Sequence, residues 1–389
     1  MENANRIKNL PPYLFAEIDR MINKAKSDGM DVINFGIGDP DQPTPENVVN
    51  KMKEAVQDPT THSYPSYEGL VEFRTAVSRR YEKRFGVELD PETEVVSLIG
   101  SKEGIAHLPL CYINPGDYAL VPDPSYPVYK TSILLSDGKP IIMPLLEENN
   151  FLPDLDSIKE EDRERAKLMF LNYPNNPTGA MASLEFFEKV IAFAKKYNII
   201  IAHDAAYTDI YLNDEVPHSI LEIDGAKDIA IEFNSLSKPY NMTGWRIGWA
   251  CGKKDVIESL GRLKTNIDSG IFEAVQYAGI EALYNSDDSI KNMSELYKER
   301  RDLLVEGLNE LGWNIKPNKA TFYLWLEVPE DMTSSEFSKK LFKKTGVFFT
   351  PGVGWGEYGE GFLRIALTVE IERIKEAIER IKESNFVYK

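Results

Sequence analysis

The chain has 389 residues, and 62 acidic against 45 basic side chains give it a formal net charge of −17. Such an acidic chain argues against nucleic acid or an anionic membrane as partner, because both require a basic surface. The length exceeds what one hydrophobic core supports, so we expect two domains. Two cysteines, Cys111 and Cys251, and four histidines without ligand spacing give no support to a disulfide framework or a metal site.

The amino-terminal segment lacks the apolar core of a signal peptide. No apolar stretch in the chain approaches the ~20 residues of a membrane span. We therefore expect a cytoplasmic protein.

Helix and strand patterns alternate through the middle of the chain, as a parallel-sheet domain requires. Helical patterns, for example 184–197, separate most of the strands. The pattern gives neither the order nor the direction of the strands. We predict strands at 95–99, 118–121, 140–143, 167–171, 199–203, 229–234 and 247–251.

A glycine turn follows the first of these strands and opens an apolar helix that runs to Ile113. Gly100 and a small hydroxyl at a helix N-terminus expose free N–H groups to an anion. Ser101 and Lys102 are therefore candidate phosphate ligands, although the turn alone is a weak signal.

An irregular loop, Asn172–Gly179, follows the strand that ends at Leu171, because two X-Pro bonds and a glycine prevent regular structure there. The loop could be only a turn. Asn176, however, lies at the carboxyl end of a predicted parallel strand, where open α/β sheets bind ligands.

Asp204 directly follows the apolar run 199–202 and the neighbouring His203. A fixed carboxylate at a strand end raises the pKa of a ring nitrogen bound beside it. Tyr207 can aim its hydroxyl at the same ligand. The alternative is that Asp204 caps the following element. We expect His203 to serve local packing, and the alternative for His203 is a supporting role behind the site.

One lysine lies between hydroxyl groups in the run 235–246. This is what a protein needs to hold pyridoxal phosphate: Lys238 forms a Schiff base with the aldehyde, while Ser235, Ser237 and Arg246 bind the phosphate. Short polar runs are also common in solvated loops. The prediction therefore depends on the other features, which fit the same cofactor.

In that arrangement the carboxylate of Asp204 keeps the pyridine nitrogen of the cofactor protonated. The side chains of Asn176 and Tyr207 donate to its 3′-oxygen.

After Gly270 the pattern changes to a long helical tract that is interrupted around 285–288. The segment Gly352–Gly356 lacks the flanking strand and helix of a dinucleotide loop, so we interpret it as a flexible loop on the substrate side. The final helix is amphipathic. We predict helical segments at 272–311, 334–344 and 370–382, and strands at 321–327 and 362–368.

Together these residues resemble the fold-type I pyridoxal-phosphate aminotransferases of classes I and II, over nearly the whole chain. The resemblance implies an α/β fold: a large domain with a mostly parallel sheet flanked by helices, and a smaller α+β domain from both termini. It places the N-terminal arm and part of the small domain at 1–44, the large cofactor domain at 45–284 and the small C-terminal domain at 285–389.

The resemblance also implies a role for each site residue. Lys238 matches the catalytic lysine, Tyr126 the aromatic residue that stacks on the cofactor, and Arg364 the arginine that grips the substrate α-carboxylate in a bidentate clamp. Tyr64 and Asn266 match residues that reach the site from the partner subunit of a homodimer. The implied cofactor contacts are Tyr64, Ser101, Lys102, Tyr126, Asn176, Asp204, Tyr207, Ser235, Ser237 and Arg246, and the implied substrate contacts are Tyr13, Gly38, Lys102, Tyr126, Asn176, Asn266 and Arg364.

Three segments, 64–69, 100–109 and 264–270, resemble the diaminopimelate branch of this family. That likeness implies interconversion of LL-2,6-diaminopimelate and 2-oxoglutarate with tetrahydrodipicolinate and L-glutamate, in lysine biosynthesis, with ping-pong kinetics. Lys102 can meet the distal carboxylate of such a substrate, directly or through water.

One departure concerns the distal ammonium group of that substrate. Plant members of the family place a glutamate where this chain has Tyr67. Either Glu68 binds the distal ammonium group in its place, or that group is bound less tightly. The alternatives are an aspartate- or alanine-type aminotransferase of broader specificity, a pyridoxal-phosphate lyase, and a non-catalytic regulator that binds the cofactor.

Overall fold

The structure is a computed structural model that describes residues 2–11, 14–386 and 388. Within this part of the chain, no helix is long and apolar enough to cross a membrane. The helices are α1 (Asn5–Lys8), α2 (Leu14–Ser27), α3 (Glu46–Gln57), α4 (Val71–Phe85), α5 (Ser101–Tyr112), α6 (Val128–Leu135), α7 (Glu160–Arg165), α8 (Leu184–Tyr197), α9 (Lys254–Lys264), α10 (Glu273–Asn285), α11 (Asp287–Glu310), α12 (Ser334–Thr345) and α13 (Ile371–Glu383). The strands are β1 (Ile33–Asn34), β2 (Val95–Leu98), β3 (Tyr118–Asp123), β4 (Lys139–Pro144), β5 (Ala166–Asn172), β6 (Ile200–Asp204), β7 (Ala230–Ser235), β8 (Gly248–Gly252), β9 (Tyr323–Glu327), β10 (Val347–Phe348), β11 (Thr350–Pro351) and β12 (Phe362–Ala366).

The central sheet contains seven strands in the order β2-β8-β7-β6-β5-β3-β4. Its strands pair in parallel from β4 through β7, whereas β8 is antiparallel to both of its neighbours. All seven strands predicted for the middle of the chain belong to this sheet. The prediction of a mostly parallel sheet is therefore confirmed.

Helices cover both faces of the central sheet, because both faces are apolar. Successive residues of β5 point to opposite faces of the sheet. Leu168 and Phe170 pack into a core shared with α5, α6 and α9, whereas Met169 and Leu171 pack into a core shared with α4, α8 and α10. The buried strands consequently read as continuous apolar runs in the sequence.

Two smaller sheets bring together segments from both ends of the chain. The strands β11, β12 and β9 form an antiparallel sheet, and β1 from the N-terminal segment pairs in parallel with β10. Phe35, Val347 and Ile374 share one hydrophobic core. The smaller unit is therefore built from both termini, as predicted.

Candidate active site

A cavity of about 490 Å³ lies where the parallel strands β5, β6 and β7 end, with the small sheet on its other side. The carboxyl edge of a parallel sheet is where open α/β folds bind ligands. Twelve of the residues predicted from the sequence line this cavity: Gly38, Ser101, Lys102, Tyr126, Asn176, Asp204, Tyr207, Ser235, Ser237, Lys238, Arg246 and Arg364.

Lys238 follows the end of β7, and its Nζ donates a hydrogen bond to the carbonyl oxygen of Gly38 at 3.0 Å. Burial lowers the pKa of Lys238 to about 8, and the positive charges of Arg364 and Arg246 act in the same direction, against the carboxylate of Asp39. The neutral amine, which is the nucleophilic form, is therefore much more accessible near neutral pH than in an ordinary lysine.

Asp204 ends β6, and its carboxylate is buried. Its Oδ2 accepts a hydrogen bond from the Tyr129 hydroxyl at 2.7 Å, whereas Oδ1 is buried without a hydrogen-bond partner in the described chain. Burial raises the pKa of Asp204, and the hydrogen bond from Tyr129 opposes that rise. A buried carboxylate oxygen of this kind calls for a donor from a ligand.

The N-terminus of α5 and Arg246 form an anion site. Gly100 has φ 74°, and a Cβ there would come within 2.2 Å of Nη2 of Arg246, so only glycine allows this approach. The backbone N–H groups of Ser101 and Lys102, at the start of α5, have no partner within the helix. Ser235 and Ser237 are buried at the same end of the cavity. This combination suits a phosphate.

The loop after β5 is held to β6 by Asn172, which the sequence analysis did not select. Its Nδ2 donates to the carbonyl oxygen of Asp204 at 2.7 Å, and its Oδ1 accepts from the backbone N–H of Asn176 at 2.8 Å. The backbones at Asn176 and Asp204 are thereby fixed relative to each other.

Arg364, on β12, enters the cavity from the small sheet. Its Nη1 donates to Oδ1 of Asn176 at 2.9 Å and its Nη2 to the carbonyl oxygen of Gly36 at 2.8 Å. Its guanidinium carbon lies 4.2 Å from the ring centroid of Tyr323 and 4.3 Å from that of Trp355. Aromatic faces hold the planar guanidinium in one orientation.

The segment after β1 supplies the carbonyl oxygens of Gly38 and Gly36, which accept hydrogen bonds from Lys238 and Arg364, respectively. Gly38 lies so close to Tyr323 that a Cβ would come within 2.1 Å of the tyrosine hydroxyl oxygen. The buried Arg300 of α11 donates to both carboxylate oxygens of Asp41 at 2.7 Å and anchors the segment. The hydroxyl oxygens of Tyr323 and Tyr207 are 3.2 Å apart.

Lys102 and Tyr126 lie together in the cavity, with Nζ of Lys102 at 5.6 Å from the Tyr126 ring centroid. The Lys102 side chain is exposed. Tyr126 packs edge-on against Tyr129, with ring centroids 5.9 Å apart. The cation can therefore meet an anionic group at the open side of the cavity.

Three predicted site residues are not brought into the cavity by this chain. Tyr64 is 88% exposed, and the exposed Asn266 donates to the carbonyl oxygen of Arg262 in its own segment. Glu68, considered for the distal ammonium group, is exposed as well. Tyr13 lies outside the described residues.

The structure also adds residues that the sequence analysis missed, among them Asp39. Asn172 could have been selected from the sequence, since it is a polar residue at the end of β5, the strand that leads into the selected loop. Ala206, Thr243 and the neighbours of Gly38 lie beside residues that had been selected. Tyr323 and Trp355, in contrast, come from distant segments without a local motif, so only the fold brings them here. The added lining residues are Ile18, Asn34, Gly36, Ile37, Asp39, Tyr129, Asn172, Ala206, Thr243, Tyr323 and Trp355.

Comparison with known proteins agrees with this fold and site. Residues 30–381 match the family model for aminotransferase class I and II. The chain belongs to that family, and it is a pyridoxal-phosphate-dependent aminotransferase with the fold-type I architecture. The buried, unpaired Oδ1 of Asp204 and the glycine-lined anion site at α5 fit this cofactor.

Two relatives match this chain over nearly its whole length. It is 69% identical over 389 residues to the LL-diaminopimelate aminotransferase of Halothermothrix orenii, covering 100% of both chains. It is 54% identical to the enzyme of that name from Aquifex aeolicus, covering 98% of each.

Among solved structures, substrate-bound BacF from Bacillus subtilis superimposes with a TM-score of 0.96 at 36% identity, covering 100% of this chain and 99% of that one. A probable N-succinyldiaminopimelate aminotransferase from Thermus thermophilus gives 0.90 at 38% identity, covering 95% and 99%.

Proposed function

We propose that this aminotransferase interconverts LL-2,6-diaminopimelate and 2-oxoglutarate with tetrahydrodipicolinate and L-glutamate, as an LL-diaminopimelate aminotransferase of lysine biosynthesis. The observation that carries the proposal is the 69% identity over the full length of a relative with that name. The exposed cation of Lys102 at the cavity agrees with a substrate that has a second carboxylate.

We assign the cofactor to the sheet side of the cavity. In this assignment Lys238 binds the cofactor aldehyde, Asp204 pairs with the pyridine nitrogen, and Tyr126 lies against the ring. Bound pyridoxal phosphate supplies an electron sink for the negative charge that develops at the substrate α-carbon. The phosphate contacts are Ser101, Lys102, Ser235, Ser237 and Arg246, with Tyr64 from a partner subunit, and the 3′-oxygen contacts are Asn176 and Tyr207.

Lys238 is the proton carrier in this proposal. Its Nζ, with a pKa of about 8 in the protein, accepts the α-proton of the amino donor and later returns it. A base works best when its pKa lies near the working pH. The carbonyl oxygen of Gly38, which accepts from Nζ at 3.0 Å, gives the amine a fixed resting position.

Arg364 binds the α-carboxylate of every donor and acceptor in this proposal. Its guanidinium is already oriented by Asn176, Gly36 and the two aromatic rings. A preoriented clamp loses little rotamer freedom when substrate binds. We further propose that Gly38, Tyr126, Asn266 and, outside the described residues, Tyr13 contact the substrate.

We propose that two copies form a homodimer with shared active sites. Tyr64 and Asn266 lie on the surface of this chain, outside its own cavity, so a cofactor or substrate contact from either requires a second subunit. Large apolar side chains exposed near them in sequence support the same view, because such groups mark interfaces when clustered; they are Tyr67, Val71, Ile267 and Phe272. Sedimentation that shows only monomer at micromolar concentration would reject the dimer.

We also propose domain boundaries near 44/45 and 284/285. The second lies at the end of α10, and the first immediately precedes α3, which packs against α10. A cytoplasmic location is proposed as well, since Cys111 and Cys251 are free thiols, as in reducing compartments. Cell fractionation checks it.

The substrate proposal is tested by a half-reaction. The purified protein is loaded with cofactor and mixed with single amino acids, and the cofactor absorbance is followed as the pyridoxamine form appears. Conversion by LL-diaminopimelate and glutamate, but not by aspartate or alanine, is the expected result. Conversion by aspartate or alanine, with none by diaminopimelate, would replace the proposal with a general aminotransferase.

A further inference from the structure

His203 and Glu232 form a buried polar pair behind the active site. The two residues are register partners on the parallel strands β6 and β7, so their side chains share one face of the sheet. Asp204, the next residue along β6, points to the other face. Neither His203 nor Glu232 has any exposed surface, and neither lines the cavity.

The hydrogen bonds of His203 define its tautomer. Its Nε2 accepts from the backbone N–H of Tyr173 at 3.3 Å, so the ring proton lies on Nδ1 and is donated to Glu232 at 2.9 Å. Edge-on packing of Phe187 against the ring, with centroids 5.2 Å apart, fixes its plane. The imidazole thus connects β7 to the first residue after β5.

Glu232 is held in place independently of His203. Its carboxylate also accepts from the Tyr81 hydroxyl at 2.6 Å, from Oγ of Ser219 at 2.9 Å and from the backbone N–H of Ile220 at 3.2 Å. A carboxylate with four donors is a rigid anchor, because each bond limits its rotation.

The hydrogen bonds continue from Tyr173 into the active site. Tyr173 directly follows Asn172, whose side chain accepts from the backbone N–H of Asn176 in the loop, and the Asn176 side chain in turn accepts from Arg364. A buried backbone N–H without a partner is costly, so loss of the His203 acceptor favours a shift of the loop.

We propose that His203 is a positioning residue for the carboxylate clamp: it fixes the loop 173–179 from behind, and the loop sets Asn176 and through it the orientation of Arg364. His203 itself touches neither cofactor nor substrate in this arrangement. The inference rests on the proposed function only where it takes Arg364 as the α-carboxylate clamp.

Two variants separate the contributions of the two hydrogen bonds that the His203 side chain makes. In His203→Asn the shorter amide can still donate to Glu232 but does not reach Tyr173, whereas in His203→Gln the longer amide oxygen can accept from Tyr173. Both lose ring packing against Phe187. Tyr81→Phe is the matched control, since it removes a donor from Glu232 and leaves His203 in place.

The cofactor-loaded proteins are compared by amide hydrogen exchange of the 173–179 peptide and by KM for the amino donor. We expect His203→Asn to raise exchange and KM each by about tenfold, the effect of one lost hydrogen bond, with a smaller change in kcat. His203→Gln is expected to stay within about threefold of the parent, and Tyr81→Phe to lower Tm without either change.

Equal effects of His203→Asn and Tyr81→Phe, or unchanged exchange in His203→Asn, would overturn the proposal and leave His203 as a packing residue. An exchange increase without any change in KM would overturn the link to Arg364. Inactivity of the parent protein toward diaminopimelate would reject the proposed substrate alone, because the exchange comparison does not depend on turnover and KM is measurable with any accepted donor.

Discussion

The two sides of the cavity are built differently. On the sheet side, Asp204, Ser235 and Lys238 lie at or just after the ends of adjacent parallel strands, and each is placed by the ladder of the central sheet. On the opposite side, Arg364 and the carbonyl of Gly36 come from segments more than three hundred residues apart. They meet because β1 pairs with β10 and because the backbone N–H of Ala366, on β12, donates to the carbonyl oxygen of Phe35.

This difference indicates how the enzyme separates chemistry from substrate choice. The cofactor side is built on the larger sheet, whose strands are buried on both faces. The substrate side depends on the smaller sheet, the N-terminal segment and, in our proposal, a second subunit. Substitutions on the cofactor side should therefore abolish turnover with every amino donor, whereas substitutions on the substrate side should alter KM and substrate selectivity.

Lys238→Ala is expected to have the largest effect. Removal of the proton carrier costs turnover roughly 10²–10⁴-fold or more, while the phosphate contacts still retain the cofactor. Single-turnover kinetics with glutamate measure the loss, and dialysis followed by absorbance measures retention. Unchanged turnover would remove Lys238 from the mechanism.

Asp204→Asn keeps the size of the side chain and removes its charge. We expect kcat to fall about 10²–10³-fold, as for loss of one preorganised electrostatic contact, with every donor affected alike. Tyr129→Phe is the control, since it removes only the hydrogen bond to Oδ2 and should cost much less. An equal loss in both variants would mean that Asp204 acts through packing.

Arg364→Lys tests the substrate side. The lysine keeps the charge and loses the fork, so KM for all α-carboxylate donors should rise roughly 30-fold, equivalent to about 2 kcal/mol. Arg373→Lys is the control, because that arginine pairs with Asp31 on the surface. A KM unaffected by Arg364→Lys would place the clamp elsewhere.

The lowered pKa of Lys238 predicts a pH dependence for cofactor capture. Capture requires the neutral amine, so with a pKa of about 8 the rate should fall about tenfold for each pH unit on the acidic side and level off on the alkaline side. N-α-acetyllysine, titrated in parallel, corrects for ionisation of the cofactor. A rate that keeps rising as steeply as that of the free amine would contradict the lowered pKa.

Lys102→Met should have the smallest effect. An exposed cation contributes at most about 1 kcal/mol to a carboxylate contact, so KM for LL-diaminopimelate and for glutamate, which both carry a second carboxylate, should rise about fivefold. The measurement is made at saturating cofactor, because Lys102 is also a proposed phosphate contact. An unchanged KM for both donors would leave only the phosphate role.

The same division governs what the sequence could predict. All seven strands of the central sheet and most of the site residues at their ends were predictable, because buried parallel strands are continuous apolar runs and the polar residues follow them directly. The helix Leu184–Tyr197 was predicted with its observed bounds. The antiparallel direction of β8 was not predictable, since the pattern of apolar residues does not show which way a strand runs in the sheet.

The substrate side was predictable only by resemblance. Arg364 lies in a short apolar strand without a motif, and its aromatic neighbours Tyr323 and Trp355 are separated from it in sequence. Tyr129, on α6, was missed because its hydrogen bond to Asp204 depends on the tertiary fold. Asn172 could have been selected from its place at the end of β5, although its hydrogen bond to Asp204 depends on which strands are neighbours. The roles of Tyr64 and Asn266 stay predictions, since one chain does not bring them to its own cavity.

The most direct test of the account is to locate the cofactor on the chain. The loaded protein is treated with borohydride, which fixes the cofactor to the amine that holds it, and the digested peptides are analysed by mass spectrometry. The account predicts a single modified residue, Lys238, in the peptide that follows β7. Modification of another lysine, such as Lys102 or Lys264, with Lys238 unmodified, would contradict it.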